Sequence, residues 1–129
     1  MKTHTFTDED FEKFKARVED LINVFGLHEW HLTITHDQIG DRVTAQTQYN
    51  SVAHTASIRL TKHTEGDFGL EWDVERIAMH EVLHLLLSDY CETVAKLGSA
   101  AHELVVAQEH AVLHRLMRVL CKLQPPGEK

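Results

Sequence analysis

The chain has 129 residues, 43% hydrophobic and 26% charged, with six Gly and two Pro. That composition excludes a disordered chain and fits one compact domain spanning residues 1–129, large enough to bury a core without staples. Twenty acidic against thirteen basic residues give a formal charge of −7, the wrong sign for a free-standing nucleic-acid binder. No run approaches 18 apolar residues, so a membrane span is not expected. The opening Met1-Lys2-Thr3-His4-Thr5 lacks the apolar run of a secretory signal, and a cytoplasmic location is the expectation. Cys91 and Cys121 make no disulfide framework or CxxC and read as buried thiols. Eleven histidines are many for this length and require a reason.

The first predicted element is an amphipathic helix. Thr7 is a suitable N-cap, followed by Asp8, Glu9 and Asp10 at the positive end of the helix dipole. Phe11, Phe14, Val18, Leu21, Ile22 and Phe25 recur at spacings of three and four, and Gly26 provides a stop. This helix is scaffold and carries no chemistry.

The pattern then changes to period two. Trp30, Leu32 and Ile34 alternate with polar residues in one strand; Val43, Ala45, Thr47 and Tyr49 do so in a second; Ala56, Ile58 and Leu60 in a third. Turn signals at Gly40-Asp41 and Asn50-Ser51 separate them. Three short strands in this order predict an antiparallel meander, and residues 62–70, with two glycines, read as a loop.

From about Asp73 to Tyr90 the chain reads as a helix with apolar residues on every side, the pattern of a central, buried helix. A connection ending in Gly98-Ser99 leads to a last helix, which runs to about Leu123 and stops before Pro125-Pro126. The expected fold class is therefore α+β: an N-terminal helix, a small, mainly antiparallel three-stranded sheet, and two packed helices.

The chemistry lies in the central helix, as His80-Glu81-Val82-Leu83-His84. Residues at i and i+4 are about 40° apart on a helix, so both imidazoles can reach one ion. Glu81 lies roughly 100° further round, where it can meet a water on that ion without being a ligand. Two His and a Glu among Ile, Ala, Met, Val and Leu are costly to bury unless something pairs with them, and a metal ion does so. The competing reading is a set of satisfied core histidines without metal.

A third ligand is expected from the last helix. Glu109 shares its face with Val105, Val106, Val112, Leu113 and Leu116, where an unpartnered carboxylate is strongly disfavoured. His102 lies two turns earlier on the same face and is the competing ligand, while a buried ion pair of Glu109 with Arg76 is the metal-free alternative. His110 and His114 fall on the polar side with Arg115, Arg118 and Lys122.

HEVLH on a buried helix, with a glutamate on the following helix, resembles the zincin metallopeptidases, specifically their gluzincin branch. The order of one helix and a small sheet before it resembles the minimal core of SprT-like domains and small phage-type metallopeptidases. The resemblance covers Trp30 to Leu123, although HExxH is its one specific motif. The sequence after His84, Leu85-Leu86-Leu87-Ser88-Asp89, lacks the metzincin extension. The resemblance implies Zn²⁺ on His80, His84 and Glu109, with Glu81 as general base in the hydrolysis of a peptide or protein substrate. Tyr49, His54 and His102 stand as alternative oxyanion donors. It also implies that the strand nearest the active helix pairs with extended substrate, and the segment from about His54 to Thr61 is the candidate. Two other functions are expected to compete: a zincin-fold binding module with a structural zinc, and an SprT-like protease acting on DNA-associated proteins.

Overall fold

In the computed structural model the described residues are 3–65, 73–88 and 107–118. They belong to two compact units, Met1–Leu86 and Leu87–Lys129. The described parts contain three helices and two small sheets, an α+β architecture.

The first unit begins with β1 (Thr3–Thr5) and α1 (Asp8–Val24). Thr7 closes a capping box: its Oγ1 accepts from Asp10 N at 3.1 Å, and Asp10 Oδ2 accepts from Thr7 N at 2.9 Å. Phe14, Val18 and Leu21 form the buried stripe. At the other end Leu27 N donates to Ile22 O and Gly26 N to Asn23 O, a Schellman arrangement with Gly26 at φ +67°. Leu27, the residue after that glycine, is itself buried.

Next come β2 (His31–His36), β3 (Ala45–Asn50), β4 (Thr55–Leu60) and β5 (His63–Glu65). The three six-residue strands form one sheet, but not the expected meander. Its order is β2-β4-β3, with β4 parallel to β2 and antiparallel to β3. The reason is burial. Ala56, Ile58 and Leu60 are all buried, so the most apolar strand takes the centre. The polar β3 (AQTQYN) takes an edge, where its outer backbone groups can meet water. Nearest-neighbour order along the chain was the simpler expectation, and hydrophobic content overrode it.

The segment expected as a loop also holds a strand. Residues 63–65 pair antiparallel with β1, Thr3 opposite Glu65 and Thr5 opposite His63. Gln38 ties this small sheet to the turn after β2: its Nε2 donates to Gly40 O and His63 O, and its Oε1 accepts from His63 N, each at 3.0 Å. Residues 66–70 of the expected loop lie outside the described residues.

Helix α2 (Val74–Leu86) ends the unit and packs against α1 and β3. Its buried residues include Val74, Ile77, Ala78, Met79, Val82, Leu83 and Leu85, which is the all-round burial that its sequence predicts. Asp73 begins it, with Oδ1 accepting from Glu75 N at 3.0 Å. In the second unit the described residues 107–118 form a helix, α3. Leu113 is fully buried there, Glu109, Leu116 and Met117 are half-buried, and His110, His114, Arg115 and Arg118 are exposed. Val112, expected on the apolar face, is 42% exposed. No helix among the described residues is long and apolar enough to cross a membrane.

Candidate metal centre

Helical spacing places His80 and His84 on one side of α2, one turn apart. Their Nε2 atoms are 3.1 Å from each other, and the rings meet edge to face with centroids 4.8 Å apart. Both rings are half-buried. Two imidazole nitrogens bound to one tetrahedral zinc at about 2.0–2.1 Å stand roughly 3.3 Å from one another. The pair is thus already spaced as two ligands of a single ion, and each ring offers one ligand atom. The same geometry also serves as a hydrogen bond between a protonated and an unprotonated Nε2.

Glu81, next in sequence to His80, is buried in the protein. It is 6% exposed, the one carboxylate among the buried described residues. Burial pushes its proton affinity above the ordinary carboxylate value, while the Thr47 hydroxyl and the charge of His84 pull it back in part. Thr47 Oγ1 lies 2.7 Å from Glu81 Oε1 and 3.1 Å from the Glu81 main-chain oxygen. A hydroxyl has one proton to give, so the shorter, carboxylate contact is the stronger claim on it.

Thr47 was not singled out in the sequence. The signal was present: in the alternation Val43, Ala45, Thr47, Tyr49 it is the polar residue at an inward position. In register it stands opposite buried Ile58, on the face that β3 turns toward α2. The corrected strand order also moves the substrate-pairing candidate. Strand β4 has both neighbours filled and cannot accept a further strand. Strand β3 is the edge that carries Thr47 to Glu81.

Of the expected oxyanion donors, Tyr49 and His54 both pack on Trp30, with ring centroids 6.2 and 5.0 Å away. His54 ends the turn between β3 and β4 at φ +54°, and its carbonyl accepts from His31 N at 2.8 Å. Beside them the sheet holds an open groove of about 710 Å³, lined among others by Trp30, His31, Gln48, Tyr49 and Ser57. His102, the competing metal ligand, lies outside the described residues, as do Cys91 and Cys121. Glu109 is half-buried on the same stripe of α3 as Leu113 and Leu116, as its place in the sequence predicts.

The donor set fits a borderline divalent cation: imidazole nitrogens suit zinc, and a buried carboxylate beside them gains from a nearby positive charge. Comparison with protein-family models, curated proteins and solved structures finds no match to this chain.

Proposed function

We propose that the chain is a small zinc-dependent peptidase of zincin type. The observation that carries this reading is the helix-borne trio: His80 and His84 with facing Nε2 atoms, and Glu81 buried beside them and held by a strand edge. His80 and His84 would hold the ion, with a third ligand from the later segment. Glu109 is the first candidate and His102 the competitor, on the sequence argument that an apolar helix face does not carry a carboxylate without cause. When bound, the ion supplies Lewis acidity, polarising a carbonyl and acidifying water near neutral pH.

The chain's own residues do the rest. Glu81 accepts a proton from the attacking water and passes it to the leaving amine. Its buried setting raises its basicity, which suits a base working near neutrality. Strand β3 presents outward-facing backbone groups to which an extended peptide can add as a further strand, next to Thr47 and so next to Glu81.

The test is metal analysis and peptide hydrolysis on one preparation of the full chain. Zinc bound at one per chain, with turnover abolished by Glu81→Gln while zinc is kept, supports a peptidase. Retained function in Glu81→Gln favours the binding module with a structural zinc. Between Glu109→Ala and His102→Ala, the variant that lowers zinc occupancy identifies the third ligand.

A further inference from the structure

Glu81 is a long, flexible side chain, and a general base works only if its reacting oxygen is held where the proton is. Packing alone fixes a carboxylate poorly, because rotation about its last bond exchanges its two oxygens. The hydroxyl of Thr47 removes that freedom. It reaches Oε1 at 2.7 Å from a different element of the fold, and it also reaches the main-chain oxygen of the same residue at 3.1 Å. The single hydroxyl proton goes to the nearer carboxylate oxygen, so Glu81 Oε1 is held from strand β3.

We propose that Thr47 is a positioning residue, whose hydroxyl on strand β3 ties down Oε1 of Glu81 and reserves the second carboxylate oxygen for proton transfer. The inference rests on the reading of Glu81 as general base. Its further content is that the base and the substrate edge are one mechanical unit. A peptide adding to β3 is aligned against the strand that also fixes the base, so the two are set in register by a single threonine. Half-buried Thr47 has a methyl group that packs and a hydroxyl that bonds, and the two roles can be separated.

Thr47→Val keeps the shape and removes the hydroxyl; Thr47→Ser keeps the hydroxyl and removes the methyl. The full chain, loaded with zinc, is assayed on an unstructured peptide for kcat and KM, with zinc content measured alongside. The carboxyl ¹³C resonance of Glu81, assigned through Glu81→Gln, is read in metal-free protein. Thr47→Val should lower kcat on the order of tenfold or more, leave KM and zinc content unchanged, and shift the Glu81 resonance. Thr47→Ser should restore kcat to within about twofold and return the resonance, since the hydroxyl is all that the role requires. Wild-type kcat and resonance in Thr47→Val would overturn the proposal, as would a Ser variant as impaired as the Val variant. If the unmutated chain holds zinc but hydrolyses nothing, the peptidase reading falls. The grip on Glu81 is then judged by the resonance alone: a shift in Thr47→Val upholds it and none overturns it.

Discussion

His80 and His84 bring their Nε2 atoms to 3.1 Å across one turn of a helix that is otherwise mostly apolar and buried. Neither ring needs to move far to share an ion, and the surrounding helix is fixed by its packing against α1 and β3. The arrangement is pre-organised for binding, which keeps the ordering cost of a ligand low.

Zinc should therefore stabilise the fold. A ligand that binds the folded chain alone adds about 2.7 kcal/mol when supplied at about a hundred times its Kd. Thermal melts with and without zinc should show a clear rise in Tm for the unmutated chain. In His80→Ala and His84→Ala that rise should vanish, and an undiminished rise in either would remove that residue from the ligand set.

Glu81 makes the metal-free protein pH-sensitive in a defined direction. Its unfolded-state value is near 4.5, and burial raises the folded one. Between the two the folded state holds the extra proton, so stability falls as pH rises through that window and stays lower above it. Glu81→Gln has no proton to lose. Melts in chelator should show the Gln variant gaining on the unmutated chain as pH climbs from 4.5, then levelling off. A gap that is constant or narrows with pH contradicts the burial argument.

The ends of α1 offer two independent checks on the scaffold. Thr7→Ala removes the capping hydroxyl and should cost about 1 kcal/mol. Gly26→Ala adds a Cβ that meets nothing within 4 Å, so its cost is purely that of φ +67°, about 1 kcal/mol. Gly26→Asn should recover much of this, because Asn tolerates that region. Denaturant unfolding measures all three, and an unaffected Gly26→Ala would mean the turn is not held left-handed.

Phe14 is fully buried on the face of α1 that packs inward. Phe14→Ala should destabilise by about 3–5 kcal/mol, the range for an aromatic deleted from a packed core. Equilibrium unfolding of the metal-free chain checks it. A loss below 1 kcal/mol would show that the core around α1 is loosely packed.

Local patterns in the sequence carried well into the fold. The cap at Thr7, the stop at Gly26, the six-residue strands and the buried α2 each follow from periodicity or from one residue's backbone preference. What failed was long-range. Strand order depends on which strand can afford an edge, and that comparison of Ala56, Ile58 and Leu60 with the polar β3 has no local signature. The pairing of Thr3–Thr5 with His63–Glu65 is too short to show a period. In the site, HExxH was legible because one helix carries all three residues. Thr47 was not, because the carboxylate it meets lies 34 positions away.

The proposed chemistry requires a single divalent ion held by the His80–His84 pair. Native mass spectrometry of the full chain, purified without added metal and then titrated with zinc, tests it directly. One zinc per chain is predicted, lost in His80→Ala and His84→Ala and retained in Glu81→Gln. A chain that takes up no stoichiometric zinc, or one whose occupancy is unchanged when either histidine is removed, would contradict it.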